Sequence, residues 1–219
     1  MARGRLAELH ERHGAEATAR ADKYSRAYEY QRGAMVVDVI ASRQRRYESR
    51  VRDGIVPQYR SRASAMDLAT LAGTAPAWLP LRGGEAQTMR EVAAGLLRWG
   101  AAHGCGDDEE AVLAWADAVE DVRFAPRLDP YVGQVSGVGP ALFAYLRMRS
   151  GADALKPDVR VHDALEALGW AVPRNAAALL TACEALAHDV GMSRLTLDQL
   201  LWWSRPGTSK TRADAASDG

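Results

Sequence analysis

The stretch Gln134-Val135-Ser136-Gly137-Val138-Gly139-Pro140 precedes residues 141–149, whose apolar pattern predicts a strong helix. Gly137 and Gly139 lack a Cβ, so the turn they form can adopt positive φ angles and lie close to another backbone. Val138 is predicted to fill the gap between the helices that flank this turn. The first N–H groups of the following helix have no intrahelical acceptor and lie at the positive end of its dipole. The stretch therefore predicts an anion site suited to a DNA phosphate.

An aspartate follows the two-glycine turn. Asp158 stands 19 residues after Gly139, in Lys156-Pro157-Asp158-Val159-Arg160-Val161. The proline indicates the start of a helix, and the helix dipole favours an acid in the first turn. Its carboxylate is then expected close to whatever the turn binds. Two simpler interpretations stay open: the turn is an ordinary helix corner, and Asp158 only stabilises its own helix.

Helical periodicity extends over most of the chain and no segment has the pattern of a strand, which predicts an all-α fold. The predicted helical segments are residues 1–33 with a break near Gly14, 35–52, 67–71, 85–99, 109–122, 141–149, 159–168, 175–190 and 196–203. The helix over 35–52 is expected to have a buried first half and an exposed, basic second half. Thr196 and Gln199 resemble a capping box. We predict a helical extension over 1–33, a core over 34–204 and a disordered tail over 205–219.

The composition is that of a globular protein. Of the 219 residues, 47% are hydrophobic, and no apolar run approaches the roughly 18–20 residues of a membrane span. The N-terminal segment is polar and charged, unlike a signal peptide. Cys105 and Cys183 provide neither a disulfide framework nor a metal cluster. We therefore expect a cytoplasmic protein with no membrane partner.

Charge is unevenly distributed although the formal net charge is zero. Residues 43–62 contain seven arginines and two acids, whereas residues 107–121 contain seven acids and neither lysine nor arginine. A basic face on a neutral protein can still bind a polyanion, because the local field matters more than the sum. A solvated helix face is the alternative interpretation of the arginines.

The glycine turn and the aspartate together resemble the helix-hairpin-helix DNA glycosylase superfamily, the group that includes endonuclease III. The matching stretches are Val135-Ser136-Gly137-Val138-Gly139 and Pro157-Asp158-Val159-Arg160-Val161. Ala41-Ser42-Arg43-Gln44 resembles the end of an early helix whose glutamine faces DNA in that family. Residues 79–98 resemble a loop and helix from which an apolar residue can wedge into the duplex, and 175–203 resemble the last two core helices.

The resemblance assigns roles to particular residues. It implies that Asp158 is the catalytic carboxylate, which stabilises positive charge developing at the sugar C1′ or orients an attacking water. The target base would first leave the stack and enter a pocket. The residues implied at phosphate groups, at the strand or in the gap left by the flipped base are Gly137, Val138, Gly139, Gln44, Arg43, Arg46, Lys156 and Arg160. The candidates for a wedge or a base pocket are Trp78, Leu79, Tyr145 and Trp203.

The resemblance also limits the chemistry. Ala141 stands where bifunctional members have a lysine, and an alanine cannot form an imine, so no lyase activity is expected. The cysteines of iron–sulfur members are missing after Trp203, so neither a cluster nor another cofactor is expected. A monovalent cation, Na⁺ or K⁺, is implied at the hairpin carbonyl groups of Gly137 and Gly139. The histidines lack the spacing of a catalytic metal site.

The function predicted from these residues is a monofunctional DNA N-glycosylase that flips and removes a damaged or modified base during DNA repair. Its partner would be double-stranded DNA, and a monomer associated with the nucleoid is expected. Ser136 and Arg160 stand where the family usually has proline and histidine, and a non-catalytic DNA-binding protein of the same fold is the alternative. A protein–protein scaffold is a further alternative. A nuclease is a more distant alternative, because it would need a cluster of carboxylates to bind a metal ion. The only dense group of acids is at residues 107–110, which we interpret as the solvated start of a helix.

Overall fold

The computed structural model describes residues 1–24 and 26–204, and within these ranges it contains helices, turns and loops but no strand. The predicted all-α fold class is confirmed. The α-helices are α1 (Ala2–Tyr24), α2 (Arg32–Ala41), α3 (Val56–Arg62), α4 (Leu68–Gly73), α5 (Glu85–His103), α6 (Asp108–Ala118), α7 (Pro140–Arg149), α8 (Val159–Ala167), α9 (Ala176–Asp189) and α10 (Arg194–Leu201). A π-helix, Tyr47–Ile55, precedes α3. No described helix combines the length and the apolar character that a membrane-spanning helix needs.

The chain forms two compact units. The terminal unit consists of Met1–Tyr24 and the chain from Asp153 onward, and the central unit consists of Ser25–Ala152. Both ends of the chain thus contribute helices to one unit, and the segment between them forms the other. The boundaries of a core over residues 34–204 stay a prediction, and the predicted disordered tail over 205–219 lies outside the described residues.

In the terminal unit, α1 packs mainly against α10. The core of this unit contains Leu6, Leu9 and Ala17 of α1 together with apolar residues of α8, α9 and α10. The predicted break near Gly14 is wrong, because α1 runs through this residue without interruption. Gly14 is buried against the imidazole ring of His10, where a Cβ would collide. Burial of the apolar helix face outweighs the low helix propensity of one glycine.

In the central unit, α2 is the most deeply buried element, and all ten of its residues are buried. α5 and α7 pack against it, as do the shorter α3 and α4. Because helices pack against α2 on several sides, α2 is apolar around most of its circumference rather than along a single face. Two charged side chains of α2, Arg32 and Asp38, are also buried. The Arg32 guanidinium forms an ion pair with Glu109 and donates to the Arg149 carbonyl at 3.1 Å.

The chain leaves the helical path directly after α2. The predicted continuous helix over residues 35–52 is wrong, because α2 ends at Ala41 and a new π-helix begins at Tyr47. Ser42 donates its hydroxyl to the Val39 carbonyl at 2.7 Å, a local bond that competes with helix continuation. Arg45 then returns to the Ala41 carbonyl at 2.9 Å and occupies an acceptor at the helix end.

Most other helix ends are decided by local caps. The Asp67 side chain accepts the Thr70 N–H at 2.6 Å and starts α4, and Gly104, with φ +72°, ends α5. The predicted capping box at Thr196 is wrong. Ser193 caps α10, since its hydroxyl accepts the Thr196 N–H at 2.9 Å, and the helix therefore begins at a residue before Thr196.

Candidate nucleic-acid interface and candidate catalytic carboxylate

The two-glycine turn forms a tight hairpin that leads into α7. The Val138 N–H donates to the Val135 carbonyl at 3.0 Å, and Gly137 has φ +90°, an angle that disfavours residues with a Cβ. Gly139 is the N-cap of α7, with φ −103° and ψ 179°, and Pro140 is the first helical residue. Proline suits this position because its φ is preset and its missing N–H would have no intrahelical acceptor.

Gly139 has no need to be glycine within this chain. Its φ lies outside the left-handed region, and a Cβ built on it would meet no other protein atom within 4 Å. A Cβ at Gly137, in contrast, would lie 2.9 Å from Thr88 Oγ1. The missing side chain of Gly139 therefore leaves open space beside the hairpin, large enough for a group from outside the protein to approach the backbone.

Several backbone groups of the hairpin lack protein partners. Within the part of the chain that the structure describes, the N–H groups of Gly137, Gly139 and Ala141 donate to no protein acceptor. Such donors at a helix start can bind an anion. The carbonyl groups of Gly137 and Val138 also lack a donor among these residues, whereas the Gly139 carbonyl accepts the Phe143 N–H at 2.9 Å. Gly137 and Val138 are thus the better-placed carbonyl ligands for a cation.

The hairpin is anchored to the first turns of α5. Thr88 Oγ1 lies 2.9 Å from the Ser136 carbonyl and 3.1 Å from the Gly84 carbonyl, so one hydroxyl joins the two elements. Val138 is buried, as predicted for the residue that fills the gap behind the turn. The exposed backbone of the hairpin is therefore held by contacts on its inner side.

The arginine loop, residues 43–46, lies beside the hairpin. Arg43 Nη1 is 3.5 Å from the position that a Cβ of Gly137 would take. Arg43 and Arg46 are exposed and form no ion pair with another described residue. Arg45 differs, because its guanidinium binds Glu85 at 2.7 Å and both side chains are buried. Arg45 thus holds the loop, while Arg43 presents positive charge next to the phosphate-binding candidate and Arg46 adds an exposed positive charge to the same loop.

Gln44 sits at the tip of this loop in a strained conformation. Its φ is +53°, which is uncommon for a residue other than glycine and costs of order 1–3 kcal/mol. Arg82, a residue that the sequence patterns did not single out, donates to the Gln44 carbonyl at 2.9 Å and to the Arg43 carbonyl at 3.4 Å. The side chain of Gln44 is exposed. A strained, exposed and polar residue beside the hairpin suits the predicted contact with DNA.

A buried polar network lies beneath the loop. Asp38 Oδ2 accepts from the hydroxyls of Tyr47 and Tyr145, each at 3.2 Å, and lies 3.2 Å from Arg149 Nη2. Burial raises the pKa of Asp38, and the charge of Arg149 and the tyrosine hydroxyls oppose this effect. The sequence left both a base pocket and the core open for Tyr145, and the structure places it in the core. The network joins the start of the π-helix to α2 and α7.

The two wedge candidates are placed differently. Leu79 is buried, so its side chain is not available to enter a duplex, which corrects that prediction. Trp78 is 39% exposed and stacks on Tyr59, with ring centroids 6.1 Å apart, while the Arg62 guanidinium lies 5.4 Å from its ring. Trp78 is thus the aromatic residue of this loop that can reach a partner.

A surface cavity of about 340 Å³ adjoins the start of the hairpin. It lies along α5 and is lined by Arg90, Glu91, Arg98, Tyr131 and Gln134, among others. Two arginines against one acid make the cavity basic.

In the terminal unit, Asp158 is the N-cap of α8 rather than a residue of its first turn. Its Oδ1 accepts the N–H groups of Arg160 at 2.9 Å and Val161 at 3.2 Å, and its Oδ2 lies 3.3 Å from Lys156 Nζ. The side chain is about 20% exposed. One carboxylate oxygen is thus engaged by the backbone, as in any N-cap, and the other lies beside an ammonium group.

A second carboxylate lies close to the same turn. Asp198 of α10 accepts the Lys156 backbone N–H at 3.1 Å. Burial raises the pKa of Asp198 to about 7; the Lys156 N–H opposes this, and the charge of Asp158 adds to it. The sequence patterns placed this residue inside a helix without a role. The signal that could have identified it is an acid flanked by leucines, in Leu197-Asp198-Gln199-Leu200.

The remaining predicted residues of the terminal unit pack locally. The Arg160 guanidinium lies 4.6 Å from the ring of Trp202, and Trp203 stacks on His13 with ring centroids 4.9 Å apart. Farther along α8, one ligand atom each of His162, Asp163 and Glu166 lies within 4.8 Å of the others, which would suit a metal ion, but two of the three residues are exposed acids of a kind common without one.

The central unit thus contains the hairpin residues Gly137, Val138 and Gly139 with Arg43 beside them, and it also contains Gln44 and Arg46 of the same loop, whereas Lys156, Asp158, Arg160 and Trp203 belong to the terminal unit. Comparisons of this chain with protein-family profiles, curated proteins and solved structures found no significant match.

Proposed function

We propose that this chain binds double-stranded DNA through the hairpin and acts as a monofunctional DNA N-glycosylase on a damaged or modified base. The observation that supports DNA binding best is the backbone at Gly137–Gly139. It combines unpartnered N–H donors, a helix start and open space where Gly139 lacks a side chain. A phosphate group has the charge and the acceptors for such a site. In this proposal the protein acts on DNA as a monomer.

The arginine loop supplies the second part of the DNA contact. Arg43 and Arg46 would bind phosphates on either side of the hairpin contact, while Gln44 would enter the gap left by the displaced base. These backbone contacts position the protein but do not choose a base. The chemical identity of the base would be decided in the pocket that receives it.

Asp158 is the proposed catalytic carboxylate. Two backbone N–H groups hold its Oδ1, which keeps the group in one orientation as charge develops. As the N-glycosidic bond breaks, its electron pair leaves with the base and positive charge develops at C1′. A water oxygen then bonds to C1′, and the water loses a proton to the solvent or the departing base. The products are a free base and an abasic site, and Ala141 provides no amine for strand cleavage.

The decisive experiment is base release. Purified protein and Asp158→Asn would be incubated with alkylated, deaminated and oxidised genomic DNA, and freed bases would be identified by mass spectrometry. Asparagine is also a good N-cap, so the variant should fold normally and keep its DNA affinity. We expect the wild type to release a base and the variant to release none. Equal turnover by both proteins would exclude Asp158 as the catalytic group.

A non-catalytic DNA-binding protein is the second candidate. The contacts of Asp158 Oδ1 are those of an ordinary N-cap, which favours this alternative. It predicts salt-dependent DNA binding together with no base release from any of the three DNA pools. Absence of DNA binding even at low salt would instead favour a protein–protein scaffold.

A further inference from the structure

Asp198 is a half-buried carboxylate in a helix whose neighbouring residues are mostly apolar. It lies on α10 next to Leu197, Leu200 and Leu201, which are all buried. Its Oδ1 accepts the Lys156 backbone N–H at 3.1 Å, and its Oδ2 accepts from Gln199 Nε2 at 3.1 Å. Placing a carboxyl group here costs free energy that an apolar residue of similar size would not cost. The bond from the Lys156 N–H offsets part of this cost.

That contact is made with the turn that carries Asp158. The Asp158 N–H donates to the Lys156 carbonyl at 2.8 Å, which closes a three-residue turn around Pro157, whose φ is restricted by its ring. The Lys156 ammonium lies 3.3 Å from Asp158 Oδ2. Lys156 is thus held at its backbone by Asp198, while its side chain lies beside Asp158.

We propose that Asp198 is a positioning residue: by holding the Lys156 N–H, it determines where the Lys156 ammonium and the Asp158 carboxylate lie. The functional side of this inference rests on the proposed role of Asp158. Ionised Asp198 also attracts Lys156, so that the ammonium is shared between two carboxylates and neutralises Asp158 less. Neutral Asp198 leaves the ammonium to Asp158 alone.

The charge of Asp198 changes near neutral pH, because burial raises its pKa to about 7. The groups that act on its carboxyl are Lys156, Asp158 and the neutral amide of Gln199. It also interacts with the thiol of Cys183, which stays neutral because burial, and then Asp198, raise its pKa to about 12. Additional negative charge near Asp158 stabilises a positive transition state. Base release should therefore become faster as the pH rises through about 7.

The proposed effect of Asp198 on Lys156 and Asp158 can be tested without measuring base release from DNA. The backbone N–H resonances of Lys156 and Asp158 would be followed by NMR as a function of pH in the full chain. Asp198→Asn keeps an oxygen acceptor for the Lys156 N–H but cannot ionise. The matched control is Asp153→Asn, because Asp153 lies three residues before Lys156 and also bonds to α10, where it accepts the Leu195 N–H at 2.8 Å rather than the Lys156 N–H.

We expect both resonances to titrate with a midpoint near 7 in the wild type and in Asp153→Asn, and to lose this titration in Asp198→Asn. A wild-type Lys156 resonance that does not titrate would overturn the proposal, as would a titration that persists in Asp198→Asn. Even if Asp198→Asn fails to fold, a wild-type Lys156 resonance that does not titrate still overturns the proposal.

The functional consequence is measured as single-turnover base release against pH. Asp198→Asn should lose the pH dependence near 7 and, above the wild-type midpoint, release base at the slower rate expected for neutral Asp198, because its amide keeps an acceptor for the Lys156 N–H but cannot ionise. DNA affinity should stay unchanged. A pH profile in Asp198→Asn identical to the wild type would contradict the positioning role. NMR titration without base release by the wild type would instead refute the glycosylase while supporting the link between Asp198 and Asp158.

Discussion

Gly137 and Gly139 are glycines for different physical reasons. Gly137 adopts φ +90° and lies against Thr88, so the folded chain itself requires a residue without a Cβ. Gly139 has ordinary backbone angles and empty space beside it, so folding alone makes no such demand. A bound phosphate backbone would fill that space. The two positions therefore separate a requirement for folding from a requirement for binding.

Substitution of each glycine by alanine should separate stability from DNA affinity. Gly139→Ala should change the free energy of unfolding by less than about 1 kcal/mol, because alanine restricts the unfolded chain but is a poorer N-cap than glycine. It should weaken binding to unrelated duplexes alike. Gly137→Ala should lower stability by roughly 1–2 kcal/mol because of its left-handed conformation. Urea unfolding and fluorescence anisotropy measure the two quantities, and full DNA affinity in Gly139→Ala would contradict the proposed contact.

At the residue scale, features that depend on neighbouring residues could be predicted from the sequence, whereas contacts between residues far apart in the chain could not. The glycine spacing and the proline before Asp158 indicated a hairpin and a helix start, because both depend on neighbouring residues. The bond between Asp198 and Lys156 joins residues 42 positions apart, and no local pattern encodes it. The burial of Leu79 and Tyr145 likewise depends on what the fold packs against them.

Among the elements, the arginine loop shows how a basic segment is divided between structure and surface. Arg45 turns inward to the Ala41 carbonyl and to Glu85, whereas Arg43 and Arg46 face the solvent. Helical periodicity predicted one helix through this region, since periodicity does not register the side-chain bonds of Ser42 and Arg45 that end α2. Most of the other helices followed their apolar patterns within a few residues. The exceptions are α1, which Gly14 does not break and which ends at Tyr24, and α3, which lies outside every predicted helical segment.

Substitution by methionine should change the free energy of unfolding more at the buried Arg45 than at the exposed Arg46. Arg45→Met should lower the free energy of unfolding by about 3 kcal/mol, because it leaves the carboxylate of Glu85 buried without its partner. Arg46→Met is the matched control and should hardly change stability. Chemical unfolding of both variants tests this expectation. Equal stability of the two variants would show that the Arg45–Glu85 pair does not hold the loop.

At the scale of the whole molecule, zero net charge coexists with a basic surface on the central unit. The arginine loop and the basic cavity beside the hairpin carry this charge, and the local field is what attracts a polyanion. Arg52, although it belongs to the same basic stretch, is paired with Asp53 at 2.7 Å. Composition could therefore not identify which arginines are available.

The salt dependence of DNA binding should count the phosphate contacts. Arg43→Gln and Arg46→Gln should each reduce the slope of log K against log salt by about 1, because each would release one condensed counterion fewer. Arg52→Gln serves as the control and should leave the slope unchanged. Duplex binding measured over a series of salt concentrations provides the slopes. An equal change of slope in all three variants would show that binding depends on the net charge of the protein and not on phosphate contacts of Arg43 and Arg46.

The membership of α1 in the terminal unit has a consequence for biosynthesis. Leu6, Leu9 and Ala17 are synthesised before the helices that cover them, which come from residue 153 onward. All of the central unit is synthesised in between, and it can begin to fold while the apolar face of α1 still lacks its partners. For that interval the nascent chain carries an exposed amphipathic helix. A chaperone that recognises such a helix would find it only during translation or after partial unfolding.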